Sequence, residues 1–456
     1  MGSSTRKAVA IQSHAAPTTG VPFQPYDVNR GSFVGALAVS HKTIRFLGIL
    51  TLAFGLLFAT SASAESLKAR SASISFAGSL KDLDMVSASV GWALSYWDPP
   101  TLGVVRTANG GRTWRFVGPA SARDVFECAN HPWGAGFALF ALNAQTAWLA
   151  AHCDGAGRGT SKRVNIWRTT TAGAGWTKST FVDNTFFDAR ELALDFANST
   201  SGWVGPESMD SSPGTLEALF RTEDGGAHWT VSNVLGQPVG NLLGFATQNV
   251  GYGYDAAPSG PLPNINTMDS DYSDFSYFPY VTRDGGGFWE HERVPIPPGF
   301  VHAWLWIGTL GNPVVDSPYD PSGTSGFTGA NMAAIPVAGA TGSFDNPTST
   351  FCGTYHTRDG GTRWWYVMSK QVCPAQYLNA SVGWGVPRDG SQNSLYRTVD
   401  GGYHWTLMGH SRYFARPGEF TFVTRQFGSS LARAPWIHVT YDGGRSWVSI
   451  YPKLAA

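Results

Sequence analysis

The chain has 456 residues, of which 54 are glycine and only 14% are charged, a balance that favours β-structure with many tight turns over a helical enzyme. Eighteen tryptophans and a 43% hydrophobic content supply a large core and exclude disorder for most of the chain. Basic and acidic residues balance at 32 each, so the basic excess expected of a nucleic-acid binder is missing.

The first element in chain order is a targeting signal. Lys42 and Arg45 precede an apolar run from Phe46 to Thr60, and Ala62-Ser63-Ala64 follows it. Charged, apolar and small residues in that order read as a secretory signal peptide over residues 1–64 with a long polar leader, cleaved after Ala64. The mature protein then begins near Glu65 and is exported, to the periplasm or beyond the cell. A membrane anchor is the competing reading, but spanning needs ~20 apolar residues. This run has 15, with Gly48 and Gly55 inside it. A start codon downstream of Met1 would account for the unusual length of the leader. Without residues 1–64 the chain keeps 27 basic and 31 acidic residues, and this mild acidity argues against nucleic acid or an anionic membrane as partner.

Downstream the chain repeats itself. Arg106-TANGGRT-Trp114, Arg168-TTTAGAG-Trp176, Arg221-TEDGGAH-Trp229, Val281-TRDGGGF-Trp289, His356-TRDGGTR-Trp364, Arg397-TVDGGYH-Trp405 and Val439-TYDGGRS-Trp447 share the pattern Thr-x-Asp-Gly-Gly-x-x-Trp. Asp224, Asp284, Asp359, Asp400 and Asp442 fill the acidic position, Asn109 replaces it once, and Thr171 marks a degenerate copy. Such a turn joins two strands: the carboxylate accepts backbone N–H groups and glycine accepts positive φ. The closing Trp opens the next strand and buries its ring.

Ahead of most copies stands a second motif: Val90-Gly-Trp92, Thr146-Ala-Trp148, Ser201-Gly-Trp203, Val250-Gly-Tyr252 and Val382-Gly-Trp384. Ser87, Asn143, Asn198, Thr247 and Asn379, five residues before each aromatic, suit turns held by a side chain bonded to backbone. Each unit therefore reads as four strands without helical periodicity. Such a unit cannot bury both its faces alone and must stack on its neighbours. The closing tryptophans lie 62, 53, 60, 75, 41 and 42 residues apart. The shortest intervals suit a bare propeller blade of roughly 40–45 residues. The expectation is an all-β, seven-bladed β-propeller over residues 72–453, ending in strands at Phe420–Val423, Ser430–Ala432, Trp436–Tyr441 and Trp447–Tyr451. Ser73–Phe76 is expected to add an edge strand that helps close the ring.

The paired Gly-Trp and Thr-x-Asp-Gly-Gly-x-x-Trp motifs resemble the Asp-box, or bacterial neuraminidase repeat, propellers. They are most similar to the photosystem II stability and assembly factor family and its bacterial relatives, over roughly residues 80–451. The resemblance implies a secreted or lumenal, non-catalytic propeller without a cofactor that holds an exported or membrane-embedded partner protein. It does not imply photosynthesis, because these motifs fix a fold rather than a function. It also implies that all seven turns join third to fourth strands on one face, where they are structural.

On that scheme the opposite rim carries the function. The extra residues at 255–276 in the fourth blade and 310–349 in the fifth are placed there, as adjacent insertions on a rigid scaffold. The candidate partner-binding residues are Asp269, Asp271, Tyr272, Asp274, Phe275, Tyr277, Phe278, Trp304 and Trp306, against the plainer alternative of tolerated surface insertions. Asp269-x-Asp271-x-x-Asp274 lacks the glycine and closing Glu of a calcium loop, so solvated carboxylates are favoured over a metal. Cys128 with Cys153, and Cys352 with Cys373, are expected to form two local disulfides, each within one blade or at its edge on the face opposite the turns. No spacing resembles a zinc site.

Catalytic alternatives come from the same fold. A sialidase needs an arginine triad, a Tyr–Glu pair and an acidic Asp, and the only string like its first arginine motif, Arg293-Val-Pro295, follows the fourth turn instead of preceding the first. Xyloglucan-cleaving relatives use two propellers where this chain has one. Asp84 and Asp195, each eight residues before a motif tryptophan, are the channel carboxylates that could act as acid and base; the alternative is that they answer neighbouring polar groups. A glycan-acting hydrolase or glycan-binding lectin is thus the rival to a protein-binding scaffold. No histidine, His131 and His302 included, stands at a fixed spacing from a nucleophile.

Overall fold

A computed structural model describes residues 74–75, 79–96, 103–119, 135–153, 162–183, 192–206, 218–233, 241–254, 280–292, 294–295, 297–299, 304–307, 331–343, 346–388, 394–410, 420–433 and 436–455. The expectations for residues 1–64 lie outside them. Seven four-stranded sheets follow one another in a ring: residues 79–116, 135–183, 192–233, 241–291, 304–369, 372–410 and 420–450, here blades 1 to 7. No helix occurs among the described residues. Strand order equals sequence order in every blade, so each is a meander of antiparallel hairpins. The first strands of blades 1 to 4 approach one another in turn, as do those of blades 6 and 7, and these strands form the inner wall.

Burial falls from the inside outward. The first strand of blade 3, Leu192–Phe196, and the third strand of blade 1, Gly103–Thr107, are buried at every position but one, because neighbouring blades cover both sheet faces. In the fourth strand of blade 1, Thr113–Phe116, only Trp114 is buried. The inner strands are accordingly mostly apolar, and the polar side chains they do carry, such as Asp195 and Arg106, bond to the next blade.

The repeated turns carry a fixed set of bonds. In blade 3, Thr222 Oγ1 accepts the N–H of Gly226 at 2.8 Å and donates to Asp224 Oδ1 at 2.9 Å, while Asp224 Oδ1 accepts the N–H of His228 at 2.9 Å. The same set recurs at Thr282/Asp284, Thr357/Asp359, Thr398/Asp400 and Thr440/Asp442. Both glycines of the blade 3 turn are left-handed, at φ 75° and 94°. The degenerate copy keeps the shape with Ala172 at φ 57° and Gly173 at 87°, Thr171 Oγ1 accepting the N–H of Gly175 where a carboxylate stands elsewhere.

The Gly-Trp motif joins blade to blade. Trp203 Nε1 donates to the carbonyl of Gly285 in the next blade's turn at 2.9 Å, and its ring stacks on Phe245 of that blade's first strand at 3.4 Å. Trp148 does the same with Gly225 and Phe196, and Trp384 with Gly443 and Phe422. The glycine before the aromatic leaves room for that first-strand ring: a Cβ on Gly202 would lie 2.3 Å from Phe196, and one on Gly251 2.5 Å from Phe245. Since blade 2 has the degenerate turn, Trp92 donates instead to Asn143 O, at 3.2 Å.

Ring closure differs from a simple added edge. Ile74–Ser75 is indeed a strand, but it pairs with Lys453–Leu454, and that C-terminal strand pairs in parallel with Thr113–Trp114 on the outer edge of blade 1. Blade 1 thus becomes a six-stranded sheet tied to the chain end emerging from blade 7.

Blade 5 corrects the reading of its insertion. Residues 310–349 do not form one loop on the rim opposite the turns. Ala333–Ser343 and Asn346–Thr357 are the second and third strands, paired as a long hairpin from Ala333↔Thr357 to Ser343↔Asn346. The connection from the first strand, Trp304–Ile307, to the second leaves from the same end of the blade as the Thr-x-Asp-Gly-Gly turn. No Gly-Trp motif announced this second strand, and its Gly, Ala, Ser and Thr content resembled loop.

Candidate functional site

The inner wall holds the two carboxylates with catalytic potential. Asp84 Oδ2 accepts the N–H of Ala141 at 2.8 Å, and Asp195 Oδ2 accepts the N–H of Phe245 at 2.6 Å. Each reaches from the first strand of its own blade to the first strand of the next. Gln376 holds the equivalent place in blade 6: its Oε1 accepts the N–H of Phe422 at 2.7 Å and its Nε2 donates to Phe422 O at 3.3 Å. Burial pushes the Asp195 carboxyl up to about 6, against the opposing pull of the Phe245 and Phe196 N–H groups. Among the described residues no three His, Cys, Asp or Glu side chains gather as a metal site would require.

The turn face is built differently. Partial burial works against ionisation of Asp224, but the backbone and ring of His228 and the Thr222 hydroxyl overcome it and hold the carboxyl at about 2. His404 pairs with Asp400 in the same way, Nδ1 to Oδ2 at 2.6 Å. Asp284, Asp359, Asp400 and Asp442 are all shifted down despite some desolvation, by the same turn bonds. The carboxylate oxygens that a turn uses are thereby committed to backbone and side-chain groups of the same turn. Phe288, Val399, Tyr403 and Tyr441 project from these turns, each more than 40% exposed.

The arginine that opens most repeats was not singled out from sequence, yet it is a contact residue. Arg106 donates to Ala144 O, Arg168 to Ser199 O, and Arg221 to Gln248 O and Asp284 O, all carbonyls of the following blade. Each guanidinium also lies over the motif tryptophan of its own blade, Arg106 on Trp92 at 5.3 Å. The first turn glycine is the seat for this group: a Cβ on Gly225 would lie 2.4 Å from Arg168 Nη1, and one on Gly285 equally close to Arg221. The sequence signal was present, an Arg immediately before the Thr in four of seven copies.

Of the candidate rim, Asp269, Asp271, Tyr272, Asp274, Phe275, Tyr277 and Phe278 lie outside the described residues. Trp304 and Trp306 fall in the first strand of blade 5, on the inner wall rather than in a loop, and their side chains also lie outside the description. Cys128 is likewise outside, and Cys153 ends the second strand of blade 2. Cys352 and Cys373 form a disulfide with Cα atoms 5.0 Å apart. It is not an intra-blade bridge: Cys352 lies on the third strand of blade 5 and Cys373 on the first strand of blade 6, so it crosses a blade boundary.

No protein-family model matches the chain, and no curated protein matches it either. Among solved structures it is similar to YCF48 bound to a D1 peptide, at 12% identity and a TM-score of 0.41, covering 81% of this chain and 93% of that one. It is also similar to a GH74 xyloglucanase from Xanthomonas campestris, at 15% identity and a TM-score of 0.44, covering 84% of this chain and 55% of the enzyme. The chain thus spans about half the length of that enzyme. A PL25 ulvan lyase is similar at 8% identity and a TM-score of 0.41, covering 82% of this chain and 96% of the lyase. Binding proteins, hydrolases and lyases stand side by side in this set, and none of these likenesses decides what the chain does.

Proposed function

We propose that this protein is an exported, non-enzymatic β-propeller that holds a partner protein, in the manner of an assembly or stability factor. The observation that carries this reading is the shared duty of Asp84, Asp195 and Gln376. An acid–base pair must exchange protons with a substrate. Here two carboxylates accept the backbone N–H of the next blade, and a neutral amide does the same work at the third equivalent position. Their role is structural registry between inner strands. Export is supported by the signal-like order of residues 42–64 and by the Cys352–Cys373 disulfide, which an oxidising compartment preserves.

The binding surface in this proposal is the rim opposite the turns, at residues 269–278 of blade 4. Capture of membrane and soluble partners by the mature protein, run beside a panel of glycan substrates, tests it. Deletion of residues 269–276 should weaken capture and leave the melting profile unchanged, whereas Asp195→Asn should leave capture intact. Glycan turnover that disappears in Asp84→Asn or Asp195→Asn would replace this reading with the hydrolase.

A further inference from the structure

The seven blade boundaries are not equivalent. At the place where Trp203 pairs with Arg221, blade 5 has Ala334 opposite His356, so both the stacking ring and the guanidinium are missing. Blade 7 has Ser429 opposite Val439 there, but its boundary with blade 1 is covered by the strand Lys453–Leu454. The boundary between blades 5 and 6 is held by other means. Cys352, Thr354 and His356 alternate along one face of the third strand of blade 5, and all three contact blade 6. Cys352 bonds Cys373, Thr354 Oγ1 meets Tyr377 OH at 2.8 Å, and His356 Nε2 donates to Gly401 O at 2.8 Å.

This substitute latch is imperfectly satisfied. On the same face, buried His356 Nδ1 and Ser369 Oγ, which lies opposite Cys352, have no hydrogen-bond partner among the described residues. A buried polar atom without a partner is destabilising, and water relieves it when the boundary parts. Local opening is drawn from such places.

We propose that the boundary between blades 5 and 6 is the opening seam of the ring, and that the Cys352–Cys373 bridge is its redox lock. Both cysteines are at most 1% exposed, so a reductant reaches them only after a transient opening. A dithiol then attacks one sulfur, breaking the S–S bond to give a mixed disulfide, and its second thiol displaces the remaining cysteine. Two electrons and two protons pass to Cys352 and Cys373, and the dithiol leaves as its own disulfide. With the bridge broken, the seam loses its covalent tie and is left with non-covalent contacts, among them the Thr354–Tyr377 and His356–Gly401 bonds and the edge-on packing of His356 on Tyr377, and opens more often.

Amide hydrogen exchange read by mass spectrometry on the full chain tests this. The oxidised protein, the dithiothreitol-reduced protein and Cys352→Ala/Cys373→Ala are compared. Exchange in residues 333–337, 352–357 and 372–377 should accelerate by about tenfold or more on loss of the bridge. The latched boundary at residues 202–205 and 219–222 should be unchanged. Equal acceleration in every blade, or no acceleration at the seam, would overturn the proposal. If the double variant does not fold, the reduced wild-type protein decides, since it is made from the native ring. The double variant also separates this bridge from any effect of reducing Cys128 or Cys153.

Discussion

Three titratable side chains give the residue scale its tests, and their signs differ. Burial pulls the His356 imidazole down to about 4, and the neighbouring Arg358 adds to this against the Gly401 bond. The unfolded chain therefore binds a proton that the native state does not between the ordinary pKa near 6.5 and about 4, so stability falls as pH drops through that window. The full effect is on the order of 3 kcal/mol, and a urea titration series of wild type and His356→Gln reads it as the difference between their pH slopes, because the slope due to Asp195 is common to both. Asp195 runs the opposite way. Its carboxyl titrates near 6 in the fold, so the native state is penalised above that pH and the penalty fades as pH falls towards 3.8. Asp195→Asn, imitating Gln376, should raise stability at pH 8 by about 1–2 kcal/mol and leave it little changed at pH 4. Loss of stability at pH 8 would mean that the anion itself is needed. Asp224→Ala removes acceptors for the His228 N–H and Thr222 hydroxyl and should cost on the order of 1 kcal/mol in thermal unfolding, with partner capture unaffected.

The element that builds this molecule is a turn together with the tryptophan and arginine of the blade before it. Trp203→Phe keeps a ring for Phe245 to stack on but loses the bond to Gly285 O, so a loss of about 1 kcal/mol is expected; Trp203→Ala also opens a cavity and should cost about 3–5 kcal/mol. Gly285→Ala should be worse than a typical turn substitution. It forces a side chain to φ 81° and drives its Cβ within 2.4 Å of Arg221 Nη1. Paired with Arg221→Ala, which removes the guanidinium, the glycine substitution should retain only its backbone strain and the 2.8 Å approach of its Cβ to Gln248 O. A double-mutant cycle by denaturant unfolding measures the difference, and additive costs would show that the guanidinium is not seated there.

At the scale of the whole ring, closure rests on two short strands, Ile74–Ser75 and Lys453–Leu454. Lys453 N–H donates to Arg112 O at 3.1 Å and Ala455 N–H to Trp114 O at 2.7 Å. Removing residues 452–456 should lower the melting temperature and raise exchange first in blades 7 and 1, where Phe427, Ile437 and Ile450 share a buried cluster with Trp114 and Leu454. An unchanged melt would mean that side-chain packing between blades 7 and 1 closes the ring without the strand.

Fold class and blade number were legible in the sequence because both are local and repeated. A turn built on two left-handed glycines, a Thr and a carboxylate leaves its full mark five times and a recognisable variant twice, and the side-chain-capped turns at Ser87, Asn143, Asn198, Thr247 and Asn379 mark the first hairpins. What those residues do for one another was not legible. The contacts of Trp203 with Gly285, Arg168 with Ser199 and Asp195 with Phe245 all cross a blade boundary, and a motif read along one strand carries no information about the strand it faces; the pairing of Cys352 with Cys373 was legible, but not that it joins two blades. The long hairpin of blade 5 escaped for a related reason: small and polar residues say little about strand or loop until pairing with another strand fixes them. The sequence by itself determined a ring of blades, because repeat spacing sets strand number. Only the tertiary structure decided where the ring is latched, stapled and tied, because that depends on which side chains packing brings together.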